Sequence, residues 1–131
     1  MIKIGITGSL SSGKSAVAKL MSRNKHPLFD ADKAVVGLYK KRDFIKKIKK
    51  KFNFKNTKNL KRKVKNLIKK DKKKLKELES IIHPSVRKEM KTLMKPRKNI
   101  KISIFEIPLL IESKLTKYFD VVVFVGANKN I

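Results

Sequence analysis

The sequence predicts an α/β fold, a parallel sheet flanked by helices and entered through a phosphate-binding loop. Three observations predict it. Residues 2–15, IKIGITGSLSSGKS, run an apolar strand with β-branched Ile2, Ile4 and Ile6 into G-x-x-x-x-G-K-[ST], carried by Gly8, Gly13, Lys14 and Ser15. The next residues set Val17, Leu20 and Met21 on one side of a helix. Near the other end, Val121–Val125 is a continuous apolar run, the pattern of a parallel strand covered on both faces. Strand, glycine-rich loop and helix in that order is the setting the motif requires. Average residue usage puts a chance match in so short a chain at roughly half a percent.

The loop's chemistry comes from its residue types. Gly8 and Gly13 let successive backbone N–H groups turn inward, toward phosphate oxygens. The helix N-terminus adds partial positive charge. Lys14 reaches the β- and γ-phosphates, and the Ser15 hydroxyl ligates Mg²⁺. The predicted phosphate cradle therefore comprises Gly8, Ser11, Ser12, Gly13, Lys14, Ser15 and Ala16.

Length and composition narrow the partners. The 131 residues suit one small α/β domain. Cys is absent, which excludes a disulfide framework and a thiolate metal site and fits a reducing cytoplasm. No apolar run is long enough to span a bilayer, and the N-terminus enters a strand directly, so neither a membrane partner nor a signal peptide is expected. The net charge of +26 would suit a polyanion. However, lysine rather than arginine dominates it, and most lysines fall on polar helix faces. They are read as solvated faces, not as a nucleic-acid surface.

Taken in order, Leu28 and Phe29 predict a short second strand with Asp30 and Asp32 at its C-terminal end. Ligands of open α/β sheets bind at that end of the strands. Asp30 is read as the cap of the next helix, and Asp32 as a carboxylate that holds Mg²⁺ or takes a proton from a substrate hydroxyl. Residues 33–95 show no strand pattern and are expected to form a helical insertion. Its apolar positions are Val35, Leu38 and Tyr39; Phe44, Ile45, Ile48 and Phe52, after Asp43 as a new cap; Leu60, Val64, Leu67 and Ile68; and Leu75, Leu78, Ile81 and Ile82. His83-Pro84 is expected to end one helix and open another with Val86, Met90 and Leu93 on one face. His83 is either a contact to substrate phosphate or a capping residue. Ile100–Ile107 is the strongest strand pattern, with Glu106 near its end as a second Mg²⁺-linked carboxylate. After Pro108-Leu-Leu-Ile-Glu112, a short helix is expected over 113–119, with Glu112 as its cap or a substrate contact.

With these residues placed, the chain resembles the dephospho-CoA kinase family over residues 1–131. Five landmarks carry the resemblance: T-G-x-x-x-S-G-K-S at Thr7–Ser15, D-A-D at Asp30–Asp32, L-x-x-[IL]-x-H-P-x-[VI] at Leu78–Val86, P-L-L-x-E at Pro108–Glu112, and the apolar strand Val121–Val125. The resemblance implies a P-loop NTPase-type three-layer fold with strand order 2-3-1-4. It implies transfer of the ATP γ-phosphate to the ribose 3′-hydroxyl of dephospho-CoA, with ATP and Mg²⁺ as cofactors. Lys14 and Asp32 would be catalytic, and Ser15, Asp32 and Glu106 would be on the metal. His83, Pro108, Leu109 and Glu112 would shape the substrate pocket, with the 33–95 insertion as a helical substrate lobe. The family continues with an Arg-bearing lid helix, a fifth strand and a final helix. The chain is thus expected to be C-terminally truncated, its lid lacking or supplied by a second chain. The alternatives are a non-catalytic or split nucleotide-binding fragment, another small-metabolite or nucleotide kinase, and a purely electrostatic polyanion binder.

Overall fold

The computed structural model describes residues 1–9, 13–23 and 25–126. The expected Ser11 and Ser12 contacts lie outside the described residues. Two compact units are present. One comprises Met1–Asp32 with the described residues from Met90 onward; the other is Lys33–Glu89.

The first unit is built on a four-stranded parallel sheet, β1 (Ile2–Gly8), β2 (Leu28–Asp30), β3 (Ile102–Glu106) and β4 (Val121–Val125), in the order β2-β3-β1-β4. This is the expected order. Side chains alternate across the sheet because the strand period is two. Ile4 and Ile6 of β1, with Ile102 and Ile104 of β3, join Ala18 and Met21 of α1 (Lys14–Ser22) in one cluster. On the other face, Phe105 packs its ring against Phe29 and Phe119, with centroids 6.0 and 5.6 Å away. Phe105 and Ile6 are both fully buried, so β1 and β3 form the core of the unit.

Gly5 of β1 is where this second face is tightest. A Cβ there would lie 2.7 Å from Leu110 Cδ1 and 3.0 Å from Phe119 Cγ. The absence of a side chain lets the 107–119 segment press against the sheet. That segment is not the helix expected over 113–119. It forms successive turns, and only Thr116–Tyr118 is helical, as one 3₁₀ turn. Leu109 and Lys114 stand in the left-handed region at φ 54° and 59°, which interrupts any continuous helix. Glu112 therefore caps no helix.

The second unit packs the remainder of α2 (Ala31–Leu38) with α3 (Arg42–Lys51), α4 (Leu60–Lys70) and most of α5 (Lys72–Met94) around Leu38, Phe44, Ile48, Leu60, Val64 and Leu78. Apolar residues at helical spacing supply this core, and the lysines of α3 face away from it, exposed. The α3 N-cap is Lys41 rather than the expected Asp43, which lies in the first turn. α3 closes with Asn53 left-handed at φ 56° and the Phe54 N–H donating to the Lys49 carbonyl at 3.0 Å. Asp71 caps α5 by accepting the Lys73 N–H at 2.9 Å.

One more expectation needs correction. α5 does not break at His83-Pro84 but runs through Pro84 to Met94. Leu78, Ile81, Ile82 and Val86 all pack on the same core, so burial on both sides of the proline offsets the lost backbone bond. The compact helical unit is Lys33–Glu89, and the last turn of α5 falls in the sheet unit.

Candidate functional site

The C-terminal ends of β1, β3 and β2 lie side by side. Ile6 is in register with Glu106, and Glu106 with Asp30. Each strand therefore delivers its next segment to this end of the sheet: the glycine-rich loop after β1, the 107–119 turns after β3, and α2 after β2.

The described end of the loop is Gly13, with φ 86°. A Cβ there would meet nothing within 4 Å, so backbone conformation rather than space calls for glycine. α1 starts at Lys14. Its N-cap provides no side-chain hydrogen bond, and its first turn holds no acidic residue. The first N–H groups of α1 have no carboxylate of their own turn competing for them and suit an external anion. Lys14 is half-buried; Ser15 and Ala16 are exposed in the first turn.

Ser15 makes the decisive contact. Its Oγ donates to Glu106 Oε1 at 2.5 Å. Glu106 is only 3% exposed. The bond joins the start of α1 to the end of β3, and so fixes a buried carboxylate at the foot of the loop. A carboxyl group has further lone pairs to offer other donors.

Asp30 takes the expected capping place. Asp30 Oδ1 accepts the Asp32 N–H at 2.9 Å, capping α2. Asp32 is exposed in the first turn of α2. The Pro108–Glu112 turn is held from below. The Ile107 N–H donates to the Ile6 carbonyl at 2.9 Å, and the Leu110 N–H makes a long bond of 3.4 Å to Thr7 Oγ1. Leu110 is fully buried, while Leu109 is 63% exposed and Glu112 is exposed. Gly8 ends β1 opposite Val125. His83 is exposed on α5 in the helical unit.

Thr7, Gly5 and Leu110 are positions to which reading the sequence gave no role of their own. Thr7 is 2% exposed, a polar residue inside an apolar strand, and Gly5 interrupts the same strand. Both are signals that a neighbouring segment approaches closely.

A sequence model described as dephospho-CoA kinase matches residues 2–131. The chain belongs to the dephospho-CoA kinase family. Among relatives of that name, one from Bartonella henselae is 38% identical over 95% of this chain and 66% of its own length. One from Fusobacterium nucleatum is 36% identical over 93% of this chain and 65% of its own length. A third, from Rickettsia prowazekii, is 34% identical over the whole of this chain and 68% of its own length. The crystal structure of TT1252 from Thermus thermophilus superposes with a TM-score of 0.69 at 30% identity, covering 97% of this chain and 66% of that one. The chain thus spans about two thirds of the length of these family members. No described helix is long and apolar enough to cross a membrane.

Proposed function

We propose that this chain carries the phosphoryl-transfer core of a dephospho-CoA kinase, moving the γ-phosphoryl group of ATP to the ribose 3′-hydroxyl of dephospho-CoA. The observation that carries the reading is the Ser15–Glu106 bond. It sets a hydroxyl and a buried carboxylate together beside the start of the phosphate-facing helix.

Each residue then has a physical role. Gly8, the loop and Gly13 supply backbone N–H groups to the phosphates, and Lys14 supplies the positive charge that offsets what builds on the transferring group. Ser15 and Glu106 are hard oxygen donors of the type Mg²⁺ takes alongside substrate phosphates. Among the described residues no group of three His, Cys, Asp or Glu could hold a metal alone. A metal here would therefore rely on phosphate and water for its remaining ligands. When bound, the ion neutralises charge on the β- and γ-phosphates. Asp32, exposed at the same end of the sheet, accepts the proton of the acceptor hydroxyl or orients it. Pro108, Leu109 and Glu112 offer a turn with an apolar tip and an acidic shoulder toward the acceptor. A reaction drawing on ATP, in a chain without cysteine, suits the cytoplasm.

The test is ADP release by the purified chain with ATP, Mg²⁺ and dephospho-CoA, beside Lys14→Ala. Turnover that needs dephospho-CoA and is lost in the variant is expected. ATP binding that depends on Lys14 without turnover would instead support a nucleotide-binding fragment.

A further inference from the structure

The sheet unit has a second concave region, at the opposite end of the strands from the phosphate loop. A cleft of about 1090 Å³ opens where the C-terminal end of α1 meets the first residues of β2 and the segment leading into β3. Lys19, Arg23, Lys25, His26 and Lys101 line it, and no carboxylate does. Its apolar lining is Pro27, Leu28, Ile100 and Ile102, all partly buried. The backbone that carries the cations is tied down. The Arg23 N–H donates to the Lys19 carbonyl at 3.0 Å, and the Lys25 and His26 N–H groups donate to the Ser22 carbonyl at 2.9 and 3.0 Å. Across the cleft, the Lys101 carbonyl accepts the Ile2 N–H at 2.7 Å.

Two blander explanations compete. Cations at a helix C-terminus offset the helix dipole, but that end carries only about half a charge. Lys19, Arg23, Lys25 and Lys101 bring four formal charges, and none of them forms a salt bridge among the described residues. The chain is also basic throughout, with 36 Lys and Arg, so a basic lining alone proves little. Composition does not supply the concavity, the apolar floor or a guanidinium fork beside them.

We propose that this cleft binds an organic phosphate, separately from the phosphate loop. Its phosphate groups meet Lys19, Arg23 and Lys101, with Arg23 able to offer a bidentate fork. Its apolar or planar body lies on Leu28, Ile100 and Ile102. The volume suits a nucleotide-sized ligand.

The experiment titrates a fluorescent N-methylanthraniloyl-ADP probe by anisotropy, in a Lys14→Ala background that disables the loop. Two triple variants are compared: Lys19→Glu with Arg23→Glu and Lys101→Glu in the cleft, and Lys61→Glu with Lys65→Glu and Lys69→Glu on α4. Both change the net charge equally. Each lost charge-assisted contact weakens binding by about tenfold. The cleft triple is therefore expected to weaken the probe at least about tenfold, and the α4 triple by less than about threefold. Glutamine replacements at the three cleft positions, which add no repulsion, are expected to give the same ranking. No probe binding in the Lys14→Ala background would overturn the proposal. So would equal losses from the two triples, which would mean attraction by net charge alone, or no loss from the cleft triple.

Discussion

Replacing Gly5 with Ala tests how the 107–119 turns are held over the sheet. The new Cβ would lie 2.7 Å from Leu110 Cδ1 and about as close as carbon can come to the Phe119 ring root, at 3.0 Å. Leu110 is fully buried, so its methyl has no empty space to rotate into. Overpacking of this kind costs about 1–3 kcal/mol. Alanine returns about 0.5–1 kcal/mol by restricting the unfolded chain and suiting the strand better. A net loss of about 1–2 kcal/mol is expected, a lowering of Tm by roughly 4 °C per kcal/mol. Urea titration measures it. The second arm is Leu110→Ala, which alone costs about 2–5 kcal/mol by leaving a cavity. In the double variant the alanine methyl enters that cavity, so the two losses should fall short of their sum by about 0.5 kcal/mol or more. Gly5→Ala as stable as the parent, or a strictly additive double variant, would refute the packing argument.

Single contacts give the remaining predictions. Glu106→Gln keeps an acceptor for Ser15 but removes the charge, so on the proposed reading turnover drops about a hundredfold or more and higher Mg²⁺ restores part of it. Asp32→Asn should lower kcat by a factor of about 10²–10⁴ with no Mg²⁺ rescue, and, Asp32 being exposed, should move the urea midpoint little. Pro84→Ala restores a backbone donor inside α5 and should stabilise the chain by about 1–3 kcal/mol in urea titration. Burial raises the Tyr39 pKa above its ordinary 10.0. The unfolded chain then loses this proton before the folded chain does, so the Tyr39 contribution is intact below pH 10.0 and falls as pH rises from there through the folded value. Tyr39→Phe should remove that part of the alkaline decline in stability, read as the difference between the two proteins' pH–urea profiles.

What the sequence disclosed tracks how local each signal is. β1, α1, the apolar β4 run and the Asp30 cap are each written within a few residues and stand where expected. However, β4 is at the edge of the described sheet with Val121 and Phe124 exposed, not covered on both faces as the run suggested. Pro84 misled because the helix-breaking rule is local, whereas the packing of Ile81, Ile82 and Val86 on the second unit's core is not. The helix expected over 113–119 failed for the opposite reason. Its apolar residues are needed individually: Leu115 is buried and Phe119 packs its ring on Phe105, which turns rather than one helix face can satisfy. The Ser15–Glu106 bond spans 91 residues of sequence. Each partner was legible as a candidate, but their contact required the β1–β3 pairing.

That pairing also explains why the carboxylates at this end of the sheet are not interchangeable. Glu106 is one strand from β1 and Asp30 two strands away, in the same row. With strands about 4.8 Å apart, Asp30 is roughly 10 Å across the sheet from β1. A Mg²⁺ ion takes oxygen ligands at about 2.0–2.1 Å, so only the nearer strand can place a carboxylate beside the Ser15 hydroxyl. Asp30 is instead used on the α2 N-terminus. That cap fixes where α2 begins and hence where Asp32 is presented. Asp32 thus owes its place to the Asp30 cap. On the proposed reading, removing the Asp30 side chain would disturb turnover through Asp32, whereas removing Glu106 would disturb it through the phosphate loop.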